Sequence, residues 1–330
     1  MTATGGPAGR IPSYAELAAR TDAPPGSAWG LFGPDDTLGT LNHLTPERVR
    51  DAARLAVRGA VFGLDYEVGA FSPPTSPGRE SARHTVLYRY DGRVLDDKLD
   101  DFYLQVSSQI DGLRHHRHAV HGFYNGVSDD AVADGTPALG IQTAAAAGIV
   151  GRGVLLDVGR QLAREGRPLD LDRAETIGVD VLDRTAAAQG TQLRDGDILL
   201  IHTGWARHVL HDLSDEQRRT LPVNRRFCGL EQSHETLAWI WDHRFAMVAS
   251  DTVAVEAIPS APTSPFTDNV NGMMHPDLIA LLGVHLGELW KLDDLAADCA
   301  ADGVHEFLLT AKPLNVTGGV GSPPNAMAVK

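Results

Sequence analysis

Between Leu104 and His121 the chain reads L-Q-V-S-S-Q-I-D-G-L-R-H-H-R-H-A-V-H. Gln105, Ser107, Gln109 and Asp111 occupy alternate positions. A strand has a period of two, so as a strand this segment shows all four to one face. Val106 and Ile110 then point the other way, into a core. A polar face that ends on an acid, with His115 four residues later, reads as a site rather than a solvated edge. Few folds can bury such a face without putting it to chemical use.

The rest of the chain restricts the class of site. It has 330 residues, ordinary globular composition and a formal net charge of -14, which argues against nucleic acid or an anionic membrane as partner. No apolar run approaches a membrane span, and Met1–Arg10 lacks the apolar core of a signal peptide, so a cytoplasmic location is expected. Cys228 and Cys299 are far apart and form no thiolate motif.

Local signals describe an α/β chain: residues 1–28 as an N-terminal arm with a short helix at Tyr14–Arg20, and residues 29–330 as one α/β domain. Thr45-Pro46 starts a helix as N-cap and first residue. Val154–Val158, Ile198–His202, Ala246–Ser250 and Glu306–Ala311 read as strands. Helices precede two of them, at Ile177–Gln189 and Glu235–His243. In such folds sites lie at strand ends. Pro259–Pro276 is a long polar loop ending at His275, and Leu278–Leu282 a short helix. G-I-V-G-R-G at Gly148–Gly153 lacks both the P-loop Lys-Ser/Thr and the dinucleotide spacing, so no nucleotide cofactor is expected.

Three polar clusters stand out: Gln105/Gln109/Asp111/His115, Asp251 with Glu256, and His275 with Glu288. Joining the first and third gives two carboxylates, two imidazoles and two amides. That set can bind a divalent metal or run acid–base chemistry without one. Residue types and spacing alone leave both open.

The chain resembles the cyclase/kynurenine formamidase-like family, whose strand motif is H-x-G-T-H-x-D-x-P-x-H. The resemblance extends through G-P-D-D-T-L-G-T-L-N-H-L-T-P-E-R-V, G-D-I-L-L-I-H-T-G-W, A-S-D-T-V-A-V-E and the tail G-G-V-G-S-P-P-N-A-M-A-V. These are similar to the larger bacterial branch, in which Gln also occurs within the motif. The resemblance implies a swivelling β/β/α domain with a mixed sheet, assembled as a homodimer or homotetramer. It aligns Gln105 and Gln109 with two ligand histidines, Asp111 with the ligand Asp, and His115 with the catalytic His. His275 and Glu288 match the later ligand pair. His116, His118 and His121 then drop out as ligands.

The function this implies is hydrolysis of a small amide, formamide or lactam-like substrate, arylformamidase-like, with His115 and Asp111 catalytic. Asp111, His275 and Glu288 would hold Mn or Zn, amide oxygens favouring the harder ion. Gln105, Gln109, Trp29, Phe32 and Trp205 would contact substrate, the last three as aromatic walls. The alternative is a metal-independent cyclase or dehydratase of secondary metabolism.

Overall fold

The computed structural model describes residues 10–330. Its centre is a nine-stranded mixed sheet. The strands are β1 (Val61–Gly63), β2 (Gln109–Asp111), β3 (Ile149–Asp157), β4 (Ile198–His202), β5 (Met247–Ser250), β6 (His285–Glu288), β7 (Glu306–Ala311), β8 (Gly321–Ser322) and β9 (Met327–Val329). Their spatial order is β1-β9-β7-β3-β4-β5-β6-β2-β8. The central run β3-β4-β5-β6 is parallel, and every other pairing is antiparallel. This is a mixed α/β fold.

The parallel strands are buried on both faces, as the apolar runs Val154–Leu156 of β3, Ile198–Ile201 of β4 and Met247–Ala249 of β5 require. In β4, Leu199 and Ile201 join one core with Leu182, Leu237, Ile240 and Trp241. Ile198 and Leu200 join the other, with Leu295, Ala296, Cys299 and Phe307. The helices Val179–Gln189 and His234–Asp242 cover the first face, and Asp293–Asp302 covers the second. Among the described residues no helix is long and apolar enough to cross a membrane.

Three local expectations change. The first nine residues of the expected arm lie outside the described residues. From Ile11 on, the segment packs on its own chain. Leu17 is fully buried, Tyr14 N donates to Asp242 Oδ1 at 2.7 Å, and Trp241 Nε1 donates to Pro12 O at 2.9 Å. The helix there is Tyr14–Ala18, capped by Ser13 and Glu16 in a reciprocal box. Asp277–Leu281 forms a single π-helical turn directly after His275.

The 104–111 segment is a strand only at Gln109–Asp111. Leu104–Ser108 turns instead, because Ser107 and Ser108 spend their hydroxyls on backbone. Ser107 donates to Glu67 O at 3.1 Å, and Ser108 to Leu289 O at 2.6 Å while accepting from Tyr66 N at 2.8 Å. Such local competition pulls a chain out of ladder geometry.

At the C-terminal ends of β3 and β4 lies an ion cluster. His202 Nδ1 is 2.9 Å from Asp157 Oδ1, and its Nε2 is 3.3 Å from Asp293 Oδ1. Tyr66 donates to Asp293 at 3.0 Å. Burial alone would lower the His202 pKa, but the two carboxylates outweigh it and raise it to about 10. Burial likewise opposes ionisation of Asp157, yet the His202 and Arg160 hydrogen bonds hold its carboxyl below the usual range. The signs set a pH window. The raised imidazole contributes fully below its unfolded pKa near 6.5 and loses that contribution as pH rises toward 10. The carboxylates contribute above about 4 and lose it in acid. His202→Gln is therefore expected to cost about 3 kcal/mol near pH 5–6, by removing the imidazolium that Asp157 and Asp293 share. The deficit should shrink above about pH 8. Melting curves of both proteins across pH check this; a pH-independent difference would remove the ion cluster as its cause.

Candidate active site

The site forms where β2 meets β6. The antiparallel register sets Glu288 opposite Gln109 and Leu286 opposite Asp111. Alternation then puts Glu288, Gln109 and Asp111 on one face, while Ile110 enters the core. The pairing joins residues 179 positions apart, with Gln109 Nε2 donating to Glu288 Oε2. Trp290 Nε1 fixes the strand by donating to Gln109 O at 2.9 Å.

Gln105 reaches the same point from the preceding turn. Its Nε2 donates to Asp111 Oδ1 and lies 3.0 Å from His115 Nδ1. The tail makes room for it. β8 pairs with the outer edge of β2, and a Cβ on Gly321 would sit 3.0 Å from the Gln105 side chain and 2.8 Å from Ile110 O. Glycine there lets the amide lie flat over the strand.

His275 enters from the end of the 259–276 loop. Glu256, fully buried, accepts from the backbone N–H of Met274 at 2.8 Å and of His275 at 2.9 Å. It also takes the Nδ1 side of the imidazole. This leaves Nε2 facing Glu288 Oε1 at 3.0 Å. A carboxylate behind an imidazole is the usual way to fix a ligand histidine's tautomer and direction. Gly229 permits the arrangement, since a Cβ there would meet the Glu256 carbonyl carbon at 2.5 Å.

Electrostatics separate the roles. Burial would make His275 a weaker base, but Glu256 and Glu288 reverse this and raise its pKa to about 10. Burial, then the charge of Asp111, pushes Glu288 upward. His115 moves the other way: burial lowers it, with Asp111 only partly compensating. Its Nε2 is 3.6 Å from Asp111 Oδ2, too long for a hydrogen bond. His115 is thus a neutral imidazole at neutral pH.

Asp111, His275 and Glu288 each offer a donor atom, all within 4.8 Å of one another, and all three are buried. Two buried oxygens here, Asp111 Oδ2 and Gln109 Oε1, have no hydrogen-bond partner among the described residues. Unsatisfied buried acceptors are costly, and a cation would satisfy both. The residues fit a divalent ion with an oxygen-rich shell: two carboxylates, one imidazole and one amide oxygen.

Two of the donors, His275 and Glu288, border a cleft of about 230 Å³ that is also lined by Arg79, His115, His116, Arg225, Val253, Ala254, Ile258 and Met273, among others. His116, set aside as a ligand by sequence, stays out of the donor set but forms part of this wall. Its ring meets His115 edge-on at 4.5 Å and His275 at 5.3 Å, and burial pushes its pKa down to about 2.

The expected aromatic walls are elsewhere. Trp29, Phe32 and Trp205 do not line the cleft. Trp29 donates to Ala280 O at 2.7 Å, Phe32 packs edge-on against His43, and Trp205 is 1% exposed against Phe227. Each is consumed by packing. Asp251 is also structural, accepting from Thr203 N, Thr203 Oγ1 and Gly204 N at 2.7–2.9 Å. Sequence reading paired Glu256 with Asp251 and missed its role behind His275, for which only the run A-S-D-T-V-A-V-E carried a signal.

Residues 65–257 match the sequence profile of a family described as "Putative cyclase". No curated protein matches the chain. Among solved structures, one described as a novel cyclase is 35% identical, with a TM-score of 0.80 over 92% of this chain and 99% of its own. Isatin hydrolase A from Ralstonia solanacearum is similar in fold alone, at 17% identity and a TM-score of 0.55 over 86% of this chain and 98% of its own. The same holds for isatin hydrolase A from Labrenzia aggregata bound to benzyl benzoate, at 14% identity, a TM-score of 0.55, and 84% and 97% coverage. On the profile match and the 35% identical structure, the chain belongs to the cyclase family.

Proposed function

We propose that this protein hydrolyses the C–N bond of a small amide, formamide or lactam-like substrate. One observation carries the reading: three buried metal-type donors, of which Asp111 keeps an unsatisfied oxygen, meet at a cleft that His275 and Glu288 line together with a neutral histidine, His115. The fold likeness to proteins named as isatin hydrolases supports it. A divalent cation held by Asp111, His275 and Glu288 would polarise the substrate carbonyl and make water a stronger acid there. The oxygen-rich donor set favours manganese over zinc.

The chain's own groups supply the proton traffic. His115 accepts the proton of the attacking water, since its lowered pKa leaves one ring nitrogen, the one facing Gln105 Nε2, unprotonated at neutral pH. It then returns that proton to the departing nitrogen, completing the cleavage. Gln105 orients His115 and Asp111 together. The amide nitrogens of Gln105 and Gln109 are engaged by Asp111, His115 and Glu288, which weighs against the cyclase alternative, where they would grip substrate carbonyls.

Protein purified without added metal, assayed on N-formylkynurenine, isatin and simple lactams before and after EDTA, tests this. Turnover that falls at least about 100-fold with EDTA and returns with Mn²⁺ is expected. Turnover indifferent to EDTA, or no cleavage of any amide, would end the reading.

A further inference from the structure

The cleft holds two cations that the chemistry above does not use. Arg79 and Arg225 both line it, beside His115, His275 and Glu288. Among the described residues neither forms an ion pair, although acids outnumber bases 43 to 29 in this chain. Most other arginines near an acid have taken one: Arg152, for example, holds both Asp197 and Glu306. Arg225 makes no side-chain hydrogen bond at all, and its Nε is buried without a partner. It is held in place by its backbone: Arg225 caps the helix Asp215–Asn224 in a left-handed conformation at φ 40°, with its N–H donating to Leu221 O at 3.0 Å. Arg79 points one guanidinium nitrogen at Gln105 O, so it is tied to the residue that positions Asp111 and His115.

A buried guanidinium nitrogen without an acceptor is a cost that native structures rarely leave standing. One such group, Arg225, at a cleft that a second guanidinium without a carboxylate partner, Arg79, also lines marks the place of an anion. Guanidinium geometry matches a carboxylate through paired N–H donors. The space continues past Arg225 into a neighbouring hollow of about 380 Å³ that shares Arg225, Ile258, Asn271 and Met273 with the cleft. Val253, Ala254, Ile258 and Met273 give the region between donors and arginines an apolar wall. The net charge of -14, with Asp111 and Glu288 close by, would otherwise repel an anion from this cleft.

We infer that the substrate is an amide bearing a carboxylate, separated from the scissile bond by an apolar spacer and received by Arg225 with Arg79. This rests on the amide-hydrolase reading of the same site and names its substrate class.

The experiment uses the full chain, loaded with Mn²⁺, and matched pairs: N-formyl ω-amino acids of increasing chain length and N-formylanthranilate, each beside its methyl ester. The acids should exceed their esters by roughly 10- to 100-fold in kcat/KM at the best spacer length. Arg225→Gln should bring the acid-to-ester ratio close to one, and Arg225→Lys should retain part of it. The melting temperature of either variant should not fall, because the side chain makes no hydrogen bond within the fold. Calorimetric binding of the same pairs is measured in parallel. If no member is hydrolysed but the acids bind over the esters and Arg225→Gln removes the difference, the carboxylate site stands while the hydrolase reading falls. Hydrolysis of acids and esters at equal rates, an Arg225→Gln loss shared equally by both, or binding of neither overturns the inference.

Discussion

Asp111→Asn is expected to lower kcat/KM on an amide substrate by roughly 10³-fold, and Gln105→Ala by only about 10- to 100-fold. The two residues touch, so the order is informative. Asp111 is fully buried and has one oxygen, Oδ2, without a partner, while Oδ1 takes the Gln105 amide. Replacing it with Asn removes the negative charge from the donor set and adds an N–H₂ that must face either the Gln105 donor or the cation position. Both arrangements are unfavourable, because a buried donor then lacks an acceptor. Gln105→Ala removes only the orienting hydrogen bonds to Asp111 and His115, leaving every donor of the Asp111–His275–Glu288 set present. Steady-state kinetics on both variants, with circular dichroism to confirm folding, decide the matter. A larger loss in Gln105→Ala would mean that the anchor of the site is Gln105 and its turn rather than the strand acid.

Several features of this site were readable from the sequence because they follow from period and register. Gln109 and Asp111 share a face, and Ile110 opposes them, as alternation demands. Three of the four parallel core strands announced themselves as apolar runs, whereas β6, H-L-G-E, did not; His275 with Glu288 came through the family resemblance. Other features depend on where loops return, which no local period encodes. Gln105 reaches Asp111 through a turn created by serine hydroxyls, not through a continuous strand. Glu256 finds His275 only because the 259–276 loop folds back toward the segment that follows β5. The arginines of the cleft resemble the other cations of the chain until their lack of carboxylate partners is seen. The aromatic assignment failed for a physical reason. Trp29, Phe32 and Trp205 carry the largest apolar surfaces in their segments, and burial of that surface in the fold outweighs its use in a binding wall.

Glu256→Gln should weaken Mn²⁺ binding by roughly 10- to 100-fold without removing any atom of the donor set. Glu256 is fully buried and three N–H groups converge on it: Met274 N, His275 N and the His275 ring. A carboxylate can accept all three. The neutral amide has one acceptor oxygen, and its N–H₂ would oppose one of the donors, so the loop must shift or leave a donor unsatisfied. Either response turns His275 away from Glu288. The cost to folding should be of the order of 3 kcal/mol, as for breaking a buried ionic pair. The kinetic pattern distinguishes positioning from direct ligation. Excess Mn²⁺ should restore most of the Glu256→Gln activity, since the lost affinity is overcome by mass action. The same excess should leave Asp111→Asn near its floor. Calorimetric titration of the two variants, read beside their melting curves, checks this. An unchanged Mn²⁺ affinity in Glu256→Gln would show that His275 is held by the π-helical turn that follows it and not by the acid behind it.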